Sequence, residues 1–326
     1  MSSLWRRLRL FIYFTLTTPT NHDRIRAFRF HIPLVMKTEN RVFSSEADAL
    51  RFLNASGLDL PIPRLLDSIV MDGNTYTIMS RIPGSLLLDE IHRISEPDLR
   101  AIVNDVRDVL DRLWTLNQSP ADAGKVMLSA SGDGLPDPMT FFDTYWGPCP
   151  SILNCYFRMS ANLSIDSDNP WTEEELVATH TDAIRAVTAD RIVWVHRDLR
   201  LQNILIRNGR LSGIIDWENS GWLPCHWQLH ALRNIKIGYP KRICSAWEDV
   251  VFPPETEAAF RASMTVLYYH TYFRNISICK AGPRVVELAF VIGISPLQAK
   301  RFESGIMSAR HLHTTPSSAA PLSAFL

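Results

Sequence analysis

An excess of either charge is missing from this chain. Of its 326 residues, 34 are lysine or arginine and 34 are aspartate or glutamate, so the formal net charge at pH 7 is zero. Domains that bind nucleic acid or anionic membranes usually concentrate lysine and arginine on one face. The balance gives no indication of such a partner, and we expect no nucleic acid to bind.

Cysteine is also scarce, and no two cysteines form a CxxC pair. The five are Cys149, Cys155, Cys225, Cys244 and Cys279. This spacing argues against a disulfide framework and against a zinc ribbon. Reduced thiols fit the cytoplasm, where we expect the protein to be. Cys225, His226 and His230 are near enough in sequence for a metal site, but packing is the better interpretation of the group.

The N-terminus lacks an apolar run long enough to span a bilayer. Leu10–Leu16 follows the basic stretch Trp5–Arg9 and imitates a signal peptide, but no clear cleavage site comes after it. A membrane-spanning helix needs about 20 apolar residues. We therefore expect no stable membrane span and interpret the segment as a packed helix or strand, with a targeting role as the lesser alternative.

Strand and turn signals dominate the first quarter of the chain. Ile32–Thr38 reads as a strand, and Ser45 with Asp48 forms an approximate capping box at the start of a helix. Asp72-Gly73-Asn74 separates two short apolar runs and predicts a hairpin. Arg81–Gly84 then breaks the pattern and reads as a connector between two lobes.

Helical periodicity dominates the rest. Ser95 is expected to cap a long helix that continues to Leu113, and another helix is expected from Trp171 to near Ala189. A buried strand, Ile192–Val195, and a hairpin around Asn208-Gly209 interrupt the helices. The order predicts an α+β protein: a small strand-rich part, a short connector, and a larger helical part with one hairpin near its middle.

The stretch from His196 to Asn203 carries the chemistry. It reads HRDLRLQN and matches the kinase pattern H-R-D-L-x-x-x-N at every fixed position. In that pattern the aspartate acts as base and the asparagine binds metal, so Asp198 is the predicted catalytic base and Asn203 a predicted Mg²⁺ ligand. Asp216 closes the hairpin that follows and is the second predicted metal ligand. The alternative interpretation is that His196-Arg197-Asp198 arises by chance and that the acids are surface groups. In that case the preceding strand, the hairpin and Asp216 would also have to follow in the kinase order by chance.

The sequence from His196 to Pro224 resembles the phosphotransferase family of aminoglycoside and choline kinases, in its fungal-type branch. The family pattern is roughly H-G-D-L, four residues, N-[IV]-L, a hairpin, I-D-W-E and an aromatic–Pro turn. The chain departs at Arg197, which is the protein-kinase choice where this family usually has glycine. Asp216-Trp217-Glu218 takes the place of the kinase DFG triplet, and its lack of glycine argues against a mobile activation loop.

The resemblance implies a protein-kinase-like two-lobed fold with a small antiparallel-sheet N-lobe and a larger, mostly helical C-lobe. The cofactors implied are ATP and Mg²⁺, and the partner is a small-molecule hydroxyl acceptor. The domain boundaries that we expect are an N-terminal extension (1–24), the nucleotide-binding N-lobe (25–83), the helical C-lobe with the catalytic hairpin (84–312), and a disordered tail (313–326).

The N-terminal part fits the resemblance more loosely. Lys37 would grip the α- and β-phosphates of ATP, with Glu46 as its ion-pair partner. Backbone groups of Ser80, Arg81 and Ile82 would contact adenine as a hinge. The alternatives are an ordinary edge-strand lysine, a glutamate that merely favours a helix N-terminus, and a plain strand ending in a turn.

One departure concerns the loop that should cover the phosphates. No glycine occurs before Gly57, although such loops need glycine so that backbone N–H groups can approach phosphate oxygens. Either a glycine-free turn between residues 17 and 30 covers ATP, or the lid is degenerate. The second case motivates an alternative function as a catalytically weak or inactive kinase-like binding protein. A protein kinase is a third alternative, opposed by the missing A-P-E segment.

The acceptor is not specified by any motif. A cationic acceptor would favour acidic or aromatic walls, and seven acids lie where relatives form such walls. They are Asp133, Asp137, Asp143, Asp166, Asp168, Glu173 and Glu174. A solvated acidic insertion has the same composition, so both interpretations stay open.

Overall fold

The computed structural model describes residues 3–22, 24–136, 145–162, 172–233 and 240–268. Its N-terminal part is a five-stranded antiparallel sheet in the order β1-β2-β3-β5-β4. The strands are β1 (Thr17–Pro19), β2 (Ile25–Phe28), β3 (Leu34–Glu39), β4 (Leu65–Met71) and β5 (Asn74–Ser80). Lys37 of β3 pairs with Ile25 on one side and Thr77 on the other, so it occupies the middle of the sheet.

An N-terminal helix, α1 (Ser3–Leu16), covers one face of this sheet. Tyr13 and Leu16 pack against a small apolar cluster on the strands, and Tyr13 donates a hydrogen bond to Asp67 at 2.7 Å. Residues expected to form an extension before residue 25 thus contribute a packed helix and the first strand. None of the helices within the described ranges is long and apolar enough to cross a membrane.

The helix α2 (Glu46–Ala55) confirms the predicted capping box. The Ser45 hydroxyl accepts the Asp48 N–H, and the Asp48 carboxylate accepts the Ser45 N–H. This reciprocal pairing satisfies two of the backbone donors that a helix start leaves free. It also fixes the direction in which the first turn, and with it Glu46, enters the protein.

The C-terminal part is mainly helical, and its apolar core is continuous with that of α2. Its helices are α3 (Leu87–Glu90), α4 (Glu96–Leu113), α5 (Ile152–Asn162), α6 (Glu173–Thr179), α7 (Thr181–Ala189), α8 (His226–Arg233), α9 (Lys241–Glu248) and α10 (Pro254–Tyr268). The prediction of one helix ending near Ala189 was wrong: the chain breaks at His180, whose φ of −126° and ψ of 36° are not helical. The expected tail, 313–326, lies outside the described residues.

Short strands organise the centre of this part. They are β6 (Ser85–Leu86), β7 (Leu135–Pro136), β8 (Tyr145–Trp146), β9 (Ile192–His196), β10 (Ile204–Arg207), β11 (Arg210–Ile214) and β12 (Ser220–Pro224). They form a three-stranded sheet, β11-β10-β6, and two pairs, β12-β9 and β7-β8. The sheet places the β10–β11 hairpin directly beside the connector, because β6 pairs with β10 and immediately follows the connector.

The turn signals in the sequence are confirmed. Asp72 and Gly73 have φ values of 52° and 78°, and Asn208 and Gly209 have values of 54° and 72°. Two consecutive residues with positive φ define the type I′ turn that suits the twist of a two-residue hairpin.

Gly84, at the end of the connector, lies against the β10–β11 hairpin. Its φ is 143°, and a Cβ at this position would lie 2.6 Å from the Ile206 carbonyl oxygen. A side chain of any size would therefore force the connector away from β10.

We expect Gly84→Ala to lower the free energy of unfolding by roughly 2–4 kcal/mol, because it adds a backbone clash to an unfavourable φ. Gly57→Ala is the matched control, since Gly57 has a φ of 76° but open space around its Cβ position. It should cost only about 1 kcal/mol. Urea unfolding measures both, and equal losses would contradict the proposed contact.

Candidate active site

The Lys37 ammonium is surrounded by three carboxylates. Its Nζ lies 2.8 Å from Glu46 Oε2, 2.5 Å from Asp216 Oδ1 and 3.1 Å from Glu218 Oε2. The lysine side chain is only 7% exposed, whereas that of Asp216 is 30% exposed. The cluster therefore has one open side, at Asp216, and this side faces the solvent.

Three chain segments deliver these groups. Lys37 comes from the middle of β3, Glu46 from the first turn of α2, and Asp216 and Glu218 from the segment after β11. Glu46 Oε1 also accepts the Trp217 N–H at 3.2 Å. One carboxylate thus joins the N-terminal sheet to the segment that carries the predicted metal ligand.

The charges in the cluster determine its protonation. Burial opposes the charge on Lys37, but Glu46, Asp216, Glu218 and Glu39 outweigh it and hold the pKa of the ammonium well above its usual value. Burial likewise opposes ionisation of Glu218, but Lys37 outweighs it with help from Arg41, so the pKa of Glu218 is lowered. Lys37 and Glu218 are therefore both charged at neutral pH.

Glu39 is a site residue that the sequence analysis missed. Its side chain is fully buried, and each carboxyl oxygen lies 3.1 Å from the Glu46 backbone nitrogen. Burial raises the pKa of Glu39 to about 8, although Lys37 opposes the shift. Glu39 lies two residues after Lys37 on one strand, so alternation alone places both side chains on the same face. That signal could have identified it.

Asp198 follows β9 and is held by Asn203. The Asn203 Nδ2 donates to the Asp198 carbonyl oxygen at 2.7 Å and to its Oδ2 at 3.0 Å. Both partners are acceptors, which assigns the amide nitrogen to this side and directs the amide oxygen elsewhere. Arg200 forms an ion pair with the other carboxylate oxygen, Oδ1. The Asp198 side chain is 18% exposed, and its Oδ1 is buried beneath Arg200.

His196 and Arg197 brace this loop. The buried His196 Nε2 donates to the Ile215 carbonyl oxygen at 3.0 Å, and the His196 backbone N–H donates to Gln228 Oε1 at 3.0 Å. Burial lowers the pKa of His196, so the ring is neutral. Arg197 donates to the Pro136 carbonyl oxygen at 2.6 Å.

The two predicted metal ligands are connected through the backbone. The Ile215 N–H donates to the Asn203 carbonyl oxygen at 3.0 Å, so Asn203 and Asp216 belong to one hydrogen-bonded unit. Asp216 adopts a left-handed conformation with a φ of 66°, which is costly for most residues but tolerated by aspartate. The turn directs its carboxylate back towards Lys37.

The predicted hinge residues lie away from the acids. The Ser80 N–H donates to the Arg64 carbonyl oxygen at 2.9 Å, and the Arg81 N–H donates to the Pro33 carbonyl oxygen at 2.8 Å. Ile82 follows them directly. A cavity of about 590 Å³ opens beside this segment and borders Arg81, but neither Lys37 nor Asp198 lines it.

The alternative metal group around Cys225 proves to be core packing. His226 Nδ1 lies 2.8 Å from Asp190, its Nε2 lies 2.7 Å from the Tyr156 hydroxyl, and His230 Nε2 lies 2.7 Å from the Ser263 hydroxyl. Over the described part of the chain, no three His, Cys, Asp or Glu side chains are arranged to hold a metal ion.

Three of the seven acids considered for acceptor walls are described. Asp133 is exposed and accepts a hydrogen bond from the Ser131 hydroxyl at 2.9 Å. Glu173 and Glu174 lie in the first turn of α6, where the helix dipole favours acids. The other four lie outside the described residues.

Comparison with known proteins identifies the family. The model of the phosphotransferase enzyme family matches residues 26–229, which is more than half of the chain. The chain belongs to this family. The matched range spans the predicted site residues from Lys37 to Asp216. It confirms the predicted family, and the fungal-type branch stays a prediction. No curated protein matches the sequence.

Solved structures share the fold of the phosphotransferase. The gentamicin complex of APH(2'')-IIa is 15% identical, with a TM-score of 0.54, and covers 91% of this chain and 98% of its own. The ADP-bound aminoglycoside phosphotransferase APH(2'')-Ib is 16% identical, with a TM-score of 0.53 and coverages of 92% and 99%. A streptomycin–ATP complex of APH(2'')-IIa is 16% identical, with a TM-score of 0.54, and the match covers 92% of this chain and 98% of the other. At this identity the similarity shows the fold alone, and it confirms the predicted fold class.

We expect Glu39→Gln to change how stability depends on pH. The folded pKa of about 8 exceeds the ordinary 4.5, so between these values the unfolded chain ionises Glu39 while the folded protein keeps it protonated. This contribution lowers the wild-type free energy of unfolding as pH rises through the window, by at most about 3 kcal/mol from pH 5.5 to 7.5. The variant lacks that loss.

The measurement is urea unfolding of both proteins at pH 5.5 and 7.5. The difference between them is the informative quantity, because histidines buried in the neutral form contribute equally to both. Glu255→Gln, at an exposed position in α10, is the control and should follow the wild type. Parallel pH curves for wild type and Glu39→Gln would contradict the raised pKa.

Proposed function

We propose that this phosphotransferase transfers the γ-phosphoryl group of ATP to a hydroxyl of a small molecule, with Asp198 as the catalytic base. The observation that carries the proposal is that four predicted residues from three chain segments are connected by contacts. Lys37 contacts Asp216, Asp216 is tied through Ile215 to Asn203, and Asn203 holds Asp198. A kinase-like reaction needs these groups in one cleft.

The residues present fit a magnesium ion. Asp216 and Asn203 offer a carboxylate and an amide oxygen, which are ligands that Mg²⁺ prefers together with substrate phosphates and water. Asp216 is the most exposed of the three carboxylates around Lys37, at 30%, so it can exchange the ammonium for a divalent cation. When bound, the ion would balance charge on the transferred phosphoryl group.

The chain's own side chains have separate tasks in this proposal. Lys37 would exchange its contact with Asp216 for the α- and β-phosphates of ATP, while Glu46 keeps the ammonium in place. Asp198 would accept the proton of the acceptor hydroxyl through Oδ1, because Asn203 occupies Oδ2. Arg200 covers Oδ1 in the free protein and is 42% exposed, so an arriving acceptor can displace it.

The hinge would bind adenine with a restricted set of groups. The N–H groups of Ser80 and Arg81 are already used within the N-terminal part. Recognition of the base would therefore fall to backbone carbonyl oxygens and to the Ile82 N–H, beside the cavity that borders Arg81.

A small-molecule acceptor is favoured over a peptide by the segment after Asp216. A short 3-10 helix (Trp217–Asn219) follows at once, β12 then pairs with β9 along its whole length, and α8 begins at His226. This leaves no long loop of the kind on which protein kinases bind peptides.

The four described cysteines are free thiols, which supports the proposed cytoplasmic location.

We expect Asp198→Ala to lower the rate of phosphoryl transfer by about 10²–10⁴-fold, because the acceptor hydroxyl loses its base. Transfer from Mg-ATP to a panel of small hydroxyl compounds is the assay. Asp198→Asn is the shape-matched variant and should be equally impaired. Both variants should have a free energy of unfolding within about 1 kcal/mol of the wild type, since the Asp198 side chain is partly exposed.

Two results would contradict the proposal at different points. Transfer that persists in Asp198→Ala would remove Asp198 from the role of base while leaving the reaction type intact. Failure of the wild type to bind nucleotide in a Mg²⁺-dependent manner, measured by calorimetry, would contradict the enzyme itself and favour the inactive, kinase-like binding protein.

A further inference from the structure

The turn between β1 and β2 stands where a phosphate lid would have to be. It contains no glycine, and three of its described backbone donors are engaged within the turn. The Thr20 N–H donates to the Ile25 carbonyl oxygen at 3.1 Å, and the Ile25 N–H donates to the His22 carbonyl oxygen at 2.9 Å. The His22 N–H donates to the Thr20 hydroxyl at 3.2 Å. These three amides cannot serve phosphate oxygens as a glycine-rich loop does.

Arg24 is fixed at the end of this turn beside Lys37. Its carbonyl oxygen accepts the Thr38 N–H at 2.9 Å, and the next residue, Ile25, pairs with Lys37. The Arg24 guanidinium Nη1 reaches to 3.9 Å from Glu218 Oε1. The other oxygen of the same carboxylate lies 3.1 Å from Lys37 Nζ. Arg24 and Lys37 therefore approach one acid from two sides.

Exposure separates Arg24 from the other cations around Glu218. The side chains of Lys37 and Arg41 are 7% and 10% exposed, whereas that of Arg24 is 57% exposed. At 3.9 Å the contact with Glu218 is longer than a hydrogen bond, and exposed ion pairs of this kind are weak. Arg24 can therefore leave Glu218 for a stronger anion at little cost.

We propose that Arg24 replaces the missing backbone donors and binds the β- and γ-phosphates of ATP through its guanidinium. The inference rests on the proposed function, because it requires ATP in the cleft. A guanidinium presents a planar fork of N–H donors that matches two phosphate oxygens at once. The proposed lid thus binds phosphate with a side chain, where glycine-rich loops use main-chain amides.

A nucleotide series tests this assignment. Calorimetry in Mg²⁺ compares the binding of ATP, ADP, AMP and adenosine to the wild type and to Arg24→Ala. We expect the variant to bind ATP about 10–100-fold more weakly, ADP less affected than ATP, and adenosine unchanged, because only the phosphates meet the guanidinium. Arg24→Lys should recover part of the affinity, since it restores charge without the fork.

Arg29→Ala is the matched control. Arg29 is exposed at the end of the same hairpin, and its N–H donates to the Leu16 carbonyl oxygen, which the substitution retains. It should bind all four ligands like the wild type. This control accounts for a general effect of removing one positive charge from the lobe.

The outcomes are distinguishable. Equal ATP affinity in the wild type and Arg24→Ala would overturn the assignment. So would an equal loss of affinity for ATP and adenosine, which would mean that Arg24 only stabilises the hairpin. A wild type that binds none of the four ligands would overturn the proposed function, and this inference with it. A loss that grows with the number of phosphates supports both.

Discussion

The ion cluster around Lys37 is the constraint on which the other features of the site depend. Burying a charge is costly unless partners compensate it, and here the partners come from both lobes: Glu46 from α2, and Asp216 with Glu218 from the segment after β11. The lysine can be satisfied in the free protein only when the lobes are in register. The interaction that aligns the lobes thus involves the same lysine that we propose to bind the phosphates.

A second, uncharged layer sets the geometry behind these acids. His196 holds the Ile215 carbonyl oxygen, Ile215 holds the Asn203 carbonyl oxygen, and Asn203 holds Asp198. A neutral imidazole suits this role, because a charge there would disturb the acids in front of it. Backbone and amide hydrogen bonds fix the positions, which leaves the carboxylates available for exchange with ligands.

Features coded by adjacent residues could be predicted from the sequence, whereas those created by packing could not. The Ser45–Asp48 capping box and the Asn208-Gly209 turn depend on neighbours within four positions, and both appear as expected. No glycine or proline near His180 signals the break between α6 and α7. The break could therefore not be predicted from local sequence. The burial of Glu39 is an exception, because Glu39 lies two residues after Lys37 on β3 and strand alternation could have placed both side chains on one face.

The pairing of β12 with β9 has a consequence for how the protein could be controlled. Residues 220–224 pair position by position with residues 192–196, the strand that leads into the predicted catalytic loop. A kinase with a free segment at this point can be switched by rearranging it, but here such a change would require a sheet to be taken apart. Under the proposed function, control would then fall to the ligands of the cleft, whose concentrations would set the rate.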